Sequence, residues 1–519
     1  MSYNAIQYFS VFLPIVILLY QFMYKKYRWT VLLVASYVFF CMFSGYLVIY
    51  NIVTVIITYI FAYLPERISA KKGKDTAEKK MLKKRKKQIL AVGIIMNLSI
   101  LIVLKYTGFF GAMGEQILSR LGVNAQFTVV KFLVPIGISY YTLQSISYLV
   151  DVYRNSVKRQ ENVAKLALYL SFFPTIIEGP ITRYGQISDA LYSNEGISYS
   201  NLTEGYKRIL WGLFKKVVLA DHMVIGVNKI FDSGVSYGGA VYVYGAILCT
   251  LQLYMDFAGT IDIVIGTGKI FGIILPENFK QPFFAKNAGD FWHRWHITLG
   301  TFFKDYIFYP ISFAKPMGKM AKKVKKLFGI GVSKLFVPTI ALFCVWICNG
   351  LWHGPQETYI FYGMYYFVII FIENCMEKQV ASFMEKHKLT DMSVGIRMFR
   401  FIKLFVIVVI GEMFFRAATI SQGMNMLKVM FTDFDFMNLI HSLADFVLEP
   451  YDYLIMLVGM MIVLIVDVLN EKNVSVIGWI NQKPKAVRWT IWYVSIFTVI
   501  IFGAYGPGFD TVAMMYAAF

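Results

Sequence analysis

Six histidines carry the scarcest chemistry in this chain: His222, His293, His296, His353, His387 and His441. Three of them fall in two aromatic-rich segments. The first is Gly289-Asp290-Phe291-Trp292-His293-Arg294-Trp295-His296-Ile297-Thr298-Leu299-Gly300, continuing through Thr301, Phe302, Phe303, Lys304 and Asp305. The second is Asn349-Gly350-Leu351-Trp352-His353-Gly354-Pro355. Imidazole takes up or releases a proton near neutral pH, so acid–base catalysis is the first chemistry to consider. Metal ligation is the second, because His293 and His296 are three apart and His353 could complete a set of three. No Glu accompanies the pair in the pattern of a zinc protease helix, and six histidines are too few for clustered di-iron boxes. No metal and no bound cofactor is expected. The string Gly234-Val235-Ser236-Tyr237-Gly238 matches G-x-S-x-G, but that signature needs a strand–turn–helix in an α/β sheet. It reads as an interhelical loop.

Helices must position these side chains. Asp290 is a plausible N-cap for the first segment. On a continuous helix Trp292, Trp295, Leu299, Phe302 and Tyr306 form one apolar stripe, with His293, His296 and Gly300 beside it. Two readings stand: an interfacial helix with histidines at headgroup level, or a partly submerged helix bordering a cavity. The second segment follows an apolar run at residues 335–347 and ends on Gly354 and Pro355, the order expected at a helix C-terminus. A helix broken at membrane depth is tolerated where it lines a cavity, which would turn His353 toward a tunnel. A buried histidine satisfied by a backbone carbonyl is the alternative.

Composition fixes the setting. Of 519 residues only 16% are charged, against about a quarter in soluble domains. A single water-soluble core stops growing near ~250–300 residues, so lipid must cover much of this apolar surface. Runs long enough to span ~30 Å of hydrocarbon occur near residues 5–24, 29–43, 46–64, 89–106, 130–150, 164–178, 206–226, 240–257, 335–350, 359–373, 401–415, 452–468 and 489–504. The expected fold is all-α and polytopic, with about 11–14 spanning or re-entrant helices around a central tunnel. Residues 1–519 read as one domain with a core near 130–420, without internal repeats.

The net charge of +20 sits in short stretches between apolar runs and calls for no nucleic acid. Lys25, Lys26 and Arg28, the loop at residues 71–87 and residues 315–334 are all basic, which assigns them to the cytoplasm and the N-terminus to the outside. Contact with membrane lipids follows. The first apolar run lacks a basic leader and a small-residue cleavage site, so it reads as a membrane helix and not a cleaved signal. The cysteines, Cys41, Cys249, Cys344, Cys348 and Cys375, read as packing residues without disulfides.

Taken together, the two histidine segments resemble the membrane-bound O-acyltransferase family. The match is to its bacterial polysaccharide branch, which includes alginate O-acetyltransferase. Further matching stretches are Pro135-Ile136-Gly137-Ile138-Ser139, residues 147–154, Phe172-Phe173-Pro174 with Gly179-Pro180-Ile181, Lys215-Lys216-Val217-Val218 with Ala220-Asp221, and Asp256-Phe257-Ala258-Gly259. The resemblance covers most of the chain. It implies that His353 is the family's tunnel histidine and His296 its second functional histidine. Asn349, Trp352, Trp295, Arg294 and His293 are then supporting tunnel or donor-binding residues. Departures exist: His293 stands where the alginate branch has a basic residue, Glu178 replaces a small residue, and no Gly-Gly follows Tyr309-Pro310. Residues 282–287, Pro-Phe-Phe-Ala-Lys-Asn, look more like relatives that export D-alanine for teichoic acid.

Acyl transfer from a thioester to a hydroxyl needs a base and stabilisation of the developing oxyanion. An imidazole in apolar surroundings stays neutral and can accept a proton. His353 is the expected base, and His296 would orient the acyl donor or donate to its carbonyl, with Asn349 a weaker donor. The resemblance implies a plasma-membrane enzyme that draws on acetyl-CoA or an acyl carrier protein thioester. It also implies a polysaccharide acceptor and an extracytoplasmic partner acyltransferase. D-Alanyl transfer is the alternative acyl group. A proton-coupled transporter using Asp256 and Asp262 is the alternative class, although the paired halves common in transporters are not evident.

Overall fold

The computed structural model describes residues 3, 5–69, 75–123, 132–390, 393–444 and 448–505. It is helical throughout, and the described residues contain no strand beyond one isolated bridge. Contacts divide the chain into two compact units, residues 1–209 with 263–276, and residues 210–262 with 277–515.

The first unit contains α1 (Leu13–Phe22), α2 (Arg28–Ser44), α3 (Val48–Ser69), α4 (Thr76–Arg120), α5 (Ile138–Tyr153) and α6 (Val163–Ser171). α4 begins where Asp75 accepts a hydrogen bond from the Glu78 N–H at 2.7 Å, a side-chain cap that satisfies one orphan donor of the first turn. The basic stretch at residues 76–87 is therefore the start of a 45-residue helix and not a loop. Lysine and arginine are good helix formers, so the helix extends well past its apolar part. Lys71, Lys72 and Lys74 lie outside the described residues. α5 has the opposite character. Every residue from Tyr140 to Leu149 is buried, polar ones included, and Gln144 donates to Thr182 Oγ1 at 2.9 Å. The apolar run near 164–178 yields only the short α6, because Pro174 cannot continue a helix.

The second unit contains most of α7 (Gly239–Ile270), followed by α8 (Ala288–Arg294), α9 (Ile297–Phe303), α10 (Lys315–His353), α11 (Glu357–Lys386), α12 (Val394–Arg416), α13 (Pro450–Glu471) and α14 (Lys485–Phe502). In α7, 89% of the most apolar window is buried, against 11% in α10 and 6% in α14. α7 is thus packed within protein, and the other two present their apolar side chains outward to lipid. Residues 233–238, which carry the G-x-S-x-G string, form an interhelical loop.

Buried charge is paired in this unit. Lys216 Nζ lies 2.7 Å from Asp221 Oδ1 and 3.1 Å from Asp256 Oδ1, while Lys215 pairs with Asp262. Removing one partner of such a pair strands a charge and costs about 3–5 kcal/mol. Asp256 and Asp262 are therefore held in ion pairs.

Seven helical segments of the described residues are long and apolar enough to cross a membrane, one of them a fused stretch, Lys25–Ile68, that contains α2 and all but the last residue of α3. The chain is a multi-pass all-α membrane protein. Counting apolar runs gave more segments because several of them, such as α6, fold as helices too short to span.

Candidate active site

The first histidine segment is two helices, not one. α8 stops at Arg294; Trp295 is extended (φ −108°, ψ 130°) and His296 is left-handed (φ 47°, ψ 50°) before α9 begins. The stripe expected to join His293 to His296 is broken between them. Residues 278–280 supply the reason: Lys280 N–H donates to the Arg294 carbonyl at 2.9 Å, and Ile297 N–H donates to the Asn278 carbonyl at 3.0 Å. Phe279 and Trp295 pair as an antiparallel bridge. Buried backbone groups must be paired, and here a neighbouring segment pairs them better than a helical turn would. Histidine is among the few non-glycine residues that adopt positive φ with some frequency, and such strained positions cluster at functional sites. The expected cap also shifts. Asn287, not Asp290, is the N-cap, its Oδ1 accepting from the Asp290 N–H at 2.8 Å. Asp290 sits in the first turn, accepts from the Lys286 N–H at 3.0 Å and lies 3.3 Å from Arg294 Nε.

The break sends the two histidines to different surroundings. His293 is exposed, whereas His296 is 2% exposed. The His296 ring meets Phe257 edge-on at 4.8 Å and Trp352 at 5.5 Å between centroids. Asn278 Oδ1 accepts from the Thr298 N–H at 3.0 Å and from Thr298 Oγ1 at 2.9 Å, and it faces His296 Nδ1 at 3.3 Å. An amide oxygen already accepting twice can only face a donor, so Nδ1 carries the proton and Nε2 the lone pair. Burial pushes the pKa of this imidazole down to about 3, which keeps the ring neutral at cellular pH.

His353 closes α10, and the helix stops at Gly354 as the sequence indicates. Gly350 and Gly363 bring α10 and α11 into backbone contact: a Cβ on Gly350 would lie 2.5 Å from the Tyr359 carbonyl, and one on Gly363 would lie 2.4 Å from the Trp346 carbonyl. This close approach walls the last turn of α10 with α11. His353 is 5% exposed, with ring neighbours Trp352 at 5.0 Å, Phe415 at 5.0 Å and Tyr362 at 5.9 Å. Trp352 touches both imidazoles, so their centroids lie no further apart than its two contact distances combined. One turn earlier, Asn349 is buried on the same helix face.

The other expected residues have different roles. Trp295 is buried against Tyr254, Phe279 and Phe291, at 5.7, 5.1 and 5.4 Å, and so anchors the break. Arg294 reaches Glu471 at 2.8 Å. Sequence reading missed three members of the site. Asn278 carries no periodic signal. Tyr362 is one tyrosine in an aromatic run, yet its hydroxyl donates to Glu412 Oε1 at 2.8 Å. Glu412 is fully buried, and a lone carboxyl in an apolar run is itself a functional signal. No group of three His, Cys, Asp or Glu side chains among the described residues is arranged to hold a metal ion.

Comparison with known proteins bears on this geometry. A sequence model of the membrane-bound O-acyltransferase family matches residues 128–415, which include both histidine segments. The chain is 30% identical over 434 residues to the probable alginate O-acetylase of Pseudomonas aeruginosa, covering 83% of this chain and 75% of that one. It is 30% identical to the peptidoglycan O-acetyltransferase of Helicobacter pylori, covering 66% of this chain and 64% of that one. A teichoic acid D-alanyltransferase of Bacillus subtilis is 31% identical over 47% of this chain and 60% of its own. Two buried histidines joined through one tryptophan thus lie inside a matched stretch of a multi-pass helical protein, and the chain belongs to the membrane-bound O-acyltransferase family as an O-acyltransferase.

Proposed function

We propose that this enzyme moves an acyl group, acetyl in the first instance, from a cytoplasmic thioester to a hydroxyl of a cell-wall polysaccharide or exopolysaccharide outside the plasma membrane. The observation that carries the reading is the pairing of His353 and His296 around Trp352 at the end of a lipid-facing helix. The acceptor class follows from the relatives, whose names specify alginate, peptidoglycan and teichoic acid.

In the proposed reaction the incoming hydroxyl oxygen attacks the acyl carbonyl while its proton passes to the His353 imidazole. The tetrahedral oxyanion collapses, the C–S bond breaks, and the thiolate leaves with the proton that His353 returns. Base help of this kind is worth roughly 10²–10⁴-fold. His296, with its lone pair on Nε2, orients the donor or accepts a hydrogen bond from it; donation to the carbonyl does not suit this tautomer. Asn349, one turn from His353, is the amide that would donate to the oxyanion. Acetyl-CoA or an acyl carrier protein is the donor, met on the side of the basic segments. An extracytoplasmic acyltransferase completes delivery, and the N-terminus lies outside.

D-Alanyl is the second reading, supported by residues 282–287 and by the B. subtilis relative. Membranes containing the protein, given radiolabelled acetyl-CoA or D-alanyl carrier protein in separate arms, should transfer label from one of them to polysaccharide. Label that stays on the donor in both arms, with the protein present at normal level, overturns the assignment.

A further inference from the structure

The site uses only the last turn of α10. Its first fourteen residues, 315–328, have a character of their own. Met317, Met320, Ala321, Val324 and Phe328 recur at spacings of three and four, the mark of an amphipathic helix. Lys315, Lys319, Lys322, Lys323, Lys325 and Lys326 fill the remaining face, and no acid interrupts them. All six lysines are exposed, and none forms an ion pair among the described residues. At Gly329 the backbone leaves the helical region (φ 81°, ψ 177°), a conformation open to glycine and costly for other residues. Beyond it Ser333 Oγ donates to the Ala321 carbonyl at 2.9 Å, so the second leg turns back against the first. That second leg then becomes the lipid-facing part of α10.

The apolar tip where the two legs meet is not covered by protein. Leu327 is 73% exposed, Phe328 66% and Ile330 57%. A water-soluble acidic partner would neutralise the lysines but leave these side chains in water. A bilayer surface answers both features: the acyl region takes the apolar tip, while lysine stems run along it with their ammonium groups at the phosphates. We infer that residues 315–328 form an interfacial helix that binds the headgroups of anionic phospholipids in the leaflet where α10 enters the membrane. The inference stands independently of the acyl-transfer chemistry.

The test uses the full-length protein in nanodiscs of phosphatidylcholine alone, or with about one third phosphatidylglycerol, read by backbone hydrogen exchange over residues 315–328. Anionic lipid should slow exchange there by at least about tenfold, since each lysine near a charged surface is attracted individually. Salt at about 1 M should remove most of the difference by screening. Replacing Lys319, Lys322, Lys323, Lys325 and Lys326 by Gln together should abolish it, with exchange in α7 unchanged. Should that variant fail to fold, the salt dependence of the wild type decides. Equal exchange in the two lipids overturns the inference, as does slowing that appears only when an acidic carrier protein is added.

Discussion

The two histidine segments reach one site by opposite means. His353 is placed by a long helix: it is the last residue of α10, set against α11 by the contact at Gly350, and its ring is held by aromatic neighbours. His296 is placed by the absence of a helix, at a left-handed residue pinned where Asn278 accepts hydrogen bonds through its side chain and carbonyl and Lys280 N–H donates to the flanking backbone. A helix terminus sets its imidazole among aromatic rings. A hydrogen-bonded break fixes the tautomer. The proposed reading divides the work accordingly, with proton transfer at His353 and orientation at His296.

The largest expected effect tests that division. His353→Ala should lower acyl transfer by roughly 10²–10⁴-fold without changing the amount of protein in the membrane. His296→Asn, which tolerates positive φ, should keep the fold and lose less. Equal losses would erase the distinction between the two residues.

Asn278→Ala removes the acceptor for the Thr298 N–H and for His296 together. A lost cap of this kind costs ~1–2 kcal/mol, so thermal unfolding in detergent should shift down. Turnover should fall further than stability predicts, because the His296 tautomer is released. Unchanged turnover would mean that Asn278 only caps α9.

A pH series sharpens the same point. The pKa of His296 is held at about 3, below its ordinary value of 6.5, so on acidification the unfolded chain binds a proton that the native protein refuses. Its contribution is present above about pH 6.5 and is lost progressively as pH falls toward 3. Comparing thermal unfolding of wild type and His296→Asn across that window isolates it; parallel curves would contradict the buried neutral ring.

Smaller effects follow at the edges. Tyr362→Phe removes the hydrogen bond to Glu412 and leaves that buried carboxyl without its donor, which costs about 1–3 kcal/mol. Arg294→Lys should change stability by less than about 1 kcal/mol, since the Arg294 pairs with Asp290 and Glu471 are partly exposed. A large loss of activity in Arg294→Lys, with stability preserved, would move Arg294 into the site.

The second segment was legible in the sequence because its geometry is local. Gly354 and Pro355 end the helix wherever it sits, and an imidazole just before that stop must lie at a helix terminus. The first segment was not, because its periodicity fits a continuous helix and what breaks it comes from residues 278–280. Glu412 could have been found as an ionisable residue in an apolar run; Asn278 could not, since nothing local to it distinguishes a structural asparagine from a loop residue. The start of α10 escaped for another reason. Hydropathy sees only the apolar part of a helix, while lysine-rich turns are equally helical.

Composition and hydropathic pattern alone determined that this chain is an all-helical membrane protein, because the sum of apolar side chains decides which solvent it must face. The order of its motifs pointed to the family. Only the tertiary structure decided which histidines meet, which one is exposed and which tautomer is held. Those depend on hydrogen bonds and ring contacts between residues distant in the chain, and spacing along a sequence does not encode them.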